Sequence, residues 1–207
     1  NITTTVENTE DGRVDAEVTW TDKDGNEHSG SLKDVLEYLK ENPEEASGAK
    51  VELNKDVEVT EPLEVPSGVE LSVPDGTKLE VKPEGILDNN GTVSVGEGGS
   101  LDNNGTVNNN EGGKLENSGD LNNNSSLKND GELENKGTVS NNENGNFENN
   151  GTIDNKENAE INNGGNFNNN AGSTLNNESG AEIGGSQPIS NGGDINNDGN
   201  IKTTVEN

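Results

Sequence analysis

Only 23% of the 207 residues are apolar, with one Trp, one Tyr and two Phe among them, which is too little for a globular core of ordinary thickness. Against 41 acidic side chains stand 13 basic ones, and the net charge of −28 argues against nucleic acid or an anionic membrane as a partner. Cysteine is absent, so disulfides and thiolate chemistry are excluded, and no apolar run reads as a membrane span or a signal peptide.

Met is absent too, an initiator included, so a processed product, a fragment or a tag-stripped chain is expected. Residues 1–48 read as an N-terminal strand or hairpin plus a capping helix. Val14, Ala16, Val18 and Trp20 alternate as in a strand, and "DKDGNE" at 22–27 supplies a hairpin-type turn. "SLKDVLEYLKENP" predicts a helix over 32–41: Ser31 is its N-cap, Leu32, Val35, Leu36 and Leu39 form its apolar stripe, and Pro43 stops it. A solenoid end needs such a cap, and Trp20 is expected to pack beneath the helix. His28 is the only histidine, in the predicted turn, and alone makes neither a zinc site nor a triad. Short strands follow at Val51–Leu53, Val57–Val59, Leu63–Val65, Val69–Val73 and Leu79–Val81.

From Leu87 onward the main apolar residues recur at gaps of six or eight, as in Leu87, Val93, Leu101, Val107, Leu115 and Leu121. Even gaps put every such side chain on one face of an extended chain, and a helix would need gaps of three and four. Taken three at a time the gaps barely change: Leu87, Val107, Leu127, Phe147 and Phe167 are 20 apart, and Ile189 follows after 22. A constant sum over variable parts is the mark of a closed three-sided coil that stacks on its neighbours. Two positions after the first-side apolar residue stand Asn89, Asn109, Asn129, Asn149, Asn169 and Asn191. The other sides carry parallel series, which are expected to sit at left-handed corners and to form hydrogen-bonded amide ladders. Gly91, Gly105, Gly131 and Gly151 then mark sharp turns. The fold class is all-β: a right-handed three-sided parallel β-helix of about 20 residues per coil over residues 49–207, with a small N-terminal α/β cap. About seven coils at ~4.8 Å would advance roughly 35 Å.

Candidate sites are few. "DINNDGN" opens like a calcium loop, with Asp194, Asn196 and Asp198 at alternate positions, but Val205 stands where the bidentate Glu belongs. Glu116, Glu134 and Asp154 fall at one position on successive coils, where like charges ~4.8 Å apart repel by about 1 kcal/mol even in water. A cation or a lysine would relieve them, so the cofactor expectation is none, with calcium as the alternative. Asn90, Asn104, Asn124 and Asn150 head glycosylation sequons and are expected to face outward. Sugar-cleaving sites usually want aromatic platforms, and Phe147 and Phe167 fall on the inward register, so no enzyme is expected.

The two ends match: Ile2-Thr3-Thr4-Thr5-Val6-Glu7-Asn8 returns as Ile201-Lys202-Thr203-Thr204-Val205-Glu206-Asn207, six of seven residues alike at a spacing of 199. Either a tandem array or head-to-tail joining of identical subunits fits, with the self-assembly contacts at Ile2, Thr4, Thr5, Val6, Ile201, Thr203, Thr204 and Val205.

The "GN…SL..VL..L" helix, then "VELNKDVEVTEPLEVPSGVELSVPDGTKLEV", then "NNGTV" coils, resembles secreted bacterial or archaeal surface proteins with pectate-lyase-like β-helices, over roughly residues 20–200. The Glu- and Lys-rich run "LKDVLEYLKENPEEA" also resembles computationally designed sequence. The resemblance implies the fold and an extracellular, secreted or cell-surface location. Lyases and hydrolases of that family carry Asp, Arg or Lys clusters on one face, and none is matched here. The expected role is a structural subunit of a fibre, stalk or matrix whose partners are copies of itself. The alternative is an adhesive module that binds surface glycans.

Overall fold

The structure, a computed structural model, describes residues 16–22 and 24–207. Val14 and the segment Ile2–Asn8 lie outside them. Among the described residues the chain winds into three parallel sheets. The first side runs from Pro62–Val65 through Ile86–Asn89 to Val205–Glu206, and the third from Val57–Val59 to Asn200–Ile201, with eight strands each. The second runs from Lys50–Leu53 to Asp194–Asn197 and is lengthened to ten strands by the cap.

Register follows the apolar spacing. Leu87, Val107, Leu127, Phe147, Phe167, Ile189 and Val205 are successive partners on the first side, and Asn109 is paired with Asn129. Most solenoid strands are four residues long, with the second and fourth side chains turned inward. One apolar side chain per side is thus buried, contributing about 1.5–3 kcal/mol each relative to exposure. Phe147 and Phe167 are core, as expected, and stack at 4.5 Å between centroids. The coils run from Lys50 onward: Val51, Leu71 and Val93 pair in the same sheet, as do Val57, Leu79 and Leu101. In these upper coils the fourth inward position holds Val65, Val73, Val81 and Val95, and from Asn89 onward mostly Asn.

Two expectations about corners are corrected. The ladder asparagines end strands rather than occupying left-handed corners. Thirteen of them are at most 1% exposed, so their amides belong to the core, and Asn158 (φ 66°) is the non-glycine with positive φ among the described residues. The glycines two residues later are required by closeness, not by turning. A Cβ on Gly131 would lie 2.3 Å from the Gly113 carbonyl oxygen one coil away. Eight-residue sides insert a β-turn, as at 110–113, where the Gly113 N–H donates to the Asn110 carbonyl (2.8 Å) and Gly112 has φ +82°. Six-residue sides dispense with it, and both lengths return the chain to register.

At the N-terminal end, strands β1 (Val18–Thr21) and β2 (Glu27–Gly30) form a hairpin whose β1 pairs antiparallel with Lys50–Leu53. Helix α1 spans Leu32–Glu41, with Ser31 Oγ accepting from the Asp34 N–H (3.2 Å) and Leu32, Val35, Leu36 and Leu39 buried. Pro43 does more than stop it: it opens a second helix, α2 (Pro43–Ala46), where its missing N–H costs nothing. Trp20 is buried, 5.8 Å from the Tyr38 ring on α1, and His28 lies in β2, stacked on Trp20 at 4.5 Å and bonded to Asp22 (2.9 Å).

Candidate functional site

Strand-final asparagines at matching coil positions stand one coil apart, within reach of each other's amides. On the first side, Nδ2 of Asn89, Asn109, Asn129, Asn149, Asn169 and Asn191 each donates to Oδ1 of the next, and the ladder ends on Asn207 (2.7–2.8 Å throughout). The second side runs Asn117, Asn135, Asn155, Asn177, Asn197 and the third Asn103, Asn123, Asn141, Asn163. Every rung points its donor toward the C-terminal end, so each ladder has a first oxygen with no asparagine before it. Asn89 and Asn103 fill theirs with the Gly91 and Gly105 N–H groups. Asn117 Oδ1, below Val95, is buried without a partner among the described residues.

A second, outer set of amides is tied to carboxylates. Asn90 donates to Glu64 (3.0 Å) and accepts from Asn110, and Asn104 donates to Glu80 (3.1 Å) and accepts from Asn124. Asn150 donates to Asp130 (2.8 Å). The four sequon asparagines lie on the outer surface, with their amides engaged in this way.

Glu116, Glu134 and Asp154 are brought into one file, followed by Asn176 and Asn196. Lysines relieve their repulsion. Lys114 Nζ lies 2.7 Å from Glu116 and 3.7 Å from Glu134, Lys136 bonds Glu134, and Lys156 lies 3.7 Å from Asp154. Lys136 and Lys114 hold the Glu134 carboxyl below its ordinary range, and Glu116 holds Lys114 above its own. Asn176 adds a 2.7 Å bond to Asp154.

Asp194 and Asn196 lie in an extended strand rather than a cation-wrapping loop, with Asp198 just beyond its end, and Asn196 donates to Asn176 Oδ1 (2.8 Å). Among the described residues no group of three or more His, Cys, Asp or Glu is placed to hold a metal ion. No helix among the described residues is long and apolar enough to cross a membrane. An open polar groove of about 430 Å³ is lined by Ser140, Asn142, Glu143, Asn162 and Gln187, among others.

The C-terminal end of the solenoid is the least covered part. Asp194–Asn197, Asn200–Ile201 and Val205–Glu206 are the last strands of their sheets, each paired on one side only. Ile195, Ile201 and Val205 are half-buried, whereas Ile189 one coil back is fully buried. Such an edge is a template for further pairing. The recurring segment builds this end. Ile201 and Val205 are four residues apart, tighter than any other side, and Thr203 Oγ1 donates to the Gln187 carbonyl (2.7 Å). The Ile189 N–H donates to the Thr204 carbonyl (2.8 Å), and Asn207 accepts from Asn191. The one residue that differs between the two copies, Lys202 against Thr3, points outward in this coil and pairs with Glu182. Sequence reasoning missed the rung at Asn207, although its place two residues after Val205 announced it.

Ile2, Thr4, Thr5 and Val6 lie outside the described residues. Comparison with protein-family models, curated proteins and solved structures found no match.

Proposed function

We propose that this chain is a non-enzymatic structural unit, a rod segment of an extracellular fibre, stalk or matrix, joined end to end with copies of itself. The supporting observation is that Ile201–Asn207, which closes the last coil, has almost the sequence of Ile2–Asn8. In a tandem array or a head-to-tail assembly, the end of one solenoid leads into the cap of the next. A heterologous contact that does not close on itself gives an open filament. With eight strands in the first and third sheets, the solenoid part of each unit adds roughly 38 Å at ~4.8 Å per coil. The extracellular placement is supported by the resemblance to pectate-lyase-like surface proteins. Their catalysis is not carried over, because no Asp, Arg or Lys cluster of theirs is matched.

Electron microscopy of material from the producing source tests the reading. Strings or fibres are expected, and isolated compact particles would overturn it.

A further inference from the structure

Asparagine followed by glycine is chemically fragile, because an unhindered backbone nitrogen can attack the side-chain amide. The chain has six such pairs, at Asn90, Asn104, Asn144, Asn150, Asn163 and Asn191. Five are locked by the ladders. Asn90, Asn104 and Asn150 each donate to a carboxylate on the preceding coil and accept from an asparagine on the following one. Asn163 and Asn191 are rungs of the inner ladders, donating onward to the Pro188 carbonyl and to Asn207. Their glycine nitrogens are held too: Gly91 and Gly105 by inner-ladder oxygens, Gly151, Gly164 and Gly192 by carbonyls of the coil before.

Asn144 differs on every count. It is exposed, its side chain makes no hydrogen bond among the described residues, and it sits in the turn 142–145 between two strands. The Gly145 N–H bonds only within that turn, to the Asn142 carbonyl (2.7 Å). The turn is tied to its neighbouring coils through the Asn142 N–H on the Asn123 carbonyl (2.8 Å) and the Gly145 carbonyl under the Asn166 N–H (2.8 Å). The attacking Gly145 nitrogen itself makes no bond to another coil, and exposed turns are the first places to open.

We propose that Asn144 is a site of spontaneous covalent modification, the one Asn–Gly pair that deamidates in the folded protein. The Gly145 nitrogen attacks Asn144 Cγ and the Cγ–Nδ2 bond breaks. Nδ2 leaves as ammonia with the proton from Gly145, and a succinimide ring remains. Water then opens either ring carbonyl to give aspartate or isoaspartate. One water is consumed and one ammonia released, with no change of oxidation state. The new carboxylate follows directly on Glu143, which lines the polar groove, so each converted chain gains one negative charge next to that residue.

The test is independent of the structural role proposed above. The intact protein is held at mildly alkaline pH and physiological temperature, and the deamidated fraction at all six pairs is followed by peptide mass spectrometry. Asn144 is expected to convert at least about tenfold faster than the other five, since each of those needs cross-coil contacts to open first. In guanidinium the six rates should converge, and Asn144→Gln should abolish the fast phase in folded protein. Equal rates in the folded state, or an Asn144 that persists as long as Asn104, would overturn the proposal.

Discussion

A buried amide stabilises a fold only when its donors and its acceptor are both met, and the ladders meet that condition unequally. Asn129 is a full rung. Its oxygen accepts from Asn109 (2.7 Å), and its nitrogen donates to Asn149 (2.8 Å) and the Thr152 carbonyl (2.9 Å). Asn129→Val strips the donor from the buried Asn149 oxygen and is expected to cost roughly 2–4 kcal/mol, the sum of lost bonds and a stranded acceptor. Asn117 is a defective rung, since its own oxygen has no partner among the described residues. Asn117→Val removes that orphan and continues the column of Val73 and Val95, while Asn135 keeps the Gly137 N–H as a donor. It still forfeits the Asn117 Nδ2 bonds to Asn135 (2.8 Å) and the Thr138 carbonyl (2.9 Å). Its oxygen bonded nothing and Asn135 is not stranded, so it is expected to cost about 1 kcal/mol less than Asn129→Val. Urea denaturation of the two variants compares them directly, and equal costs would mean that ladder position is irrelevant.

Turns decide which parts of the coil were legible beforehand. Even gaps from Leu87 to Ile201 dictate strand, face and register, because a residue one place out of step would put its side chain in water. The same even gaps reach back through Leu79, Leu71, Leu63, Val57 and Val51, where valine mostly replaces asparagine at the second inward position and the strands are legible by alternation without a ladder. Helix α1 was legible in full, since Ser31, the apolar stripe and Pro43 each act locally. What the sequence could not convey was why glycine and asparagine stand where they do. An inward amide and a corner residue look alike in one dimension, and a glycine squeezed between coils looks like one that turns. The two glycine classes separate on substitution. Gly112→Ala meets open space and pays only for its left-handed backbone, about 1–2 kcal/mol. Gly131→Ala has an ordinary φ but puts a methyl 2.3 Å from the Gly113 oxygen, so neighbouring coils must separate. The second is expected to destabilise more, with hydrogen exchange raised at the Asn110–Gly113 and Asp130–Gly131 coils and left unchanged at α1. A larger loss for Gly112→Ala would contradict this account.

For the whole molecule, a net charge of −28 on a narrow rod sets the balance between repulsion and pairing. The ion pairs are largely surface pairs, such as Lys33 with Glu61 (2.8 Å) and Lys82 with Glu58 (2.9 Å), and pairs of this kind contribute about 0–1 kcal/mol each. Unbalanced carboxylates far outnumber them, so screening should remove more repulsion than attraction. Raising salt from ~0.01 M to ~1 M, which shortens the Debye length from roughly 30 Å to 3 Å, is therefore expected to raise the melting temperature at neutral pH. Acid has two opposed effects. Ordinary carboxylates protonate near pH ~4, which relieves repulsion. Glu64, Glu80 and Glu134 are held below the ordinary range by their bonds to Lys40, Lys82 and Lys136 respectively. A carboxyl whose folded pKa is depressed contributes stability above its unfolded pKa and loses it as pH falls through the folded value. These three therefore keep their contribution after much of the repulsion has gone. At low salt the melting temperature should rise as pH falls from 7 toward ~4, then drop below that as the paired carboxyls protonate. Calorimetry across that range at both salt concentrations gives the answer. A melting temperature that falls with added salt at neutral pH would mean the surface ion pairs outweigh the repulsion, and the rod would then be held together by its charges rather than in spite of them.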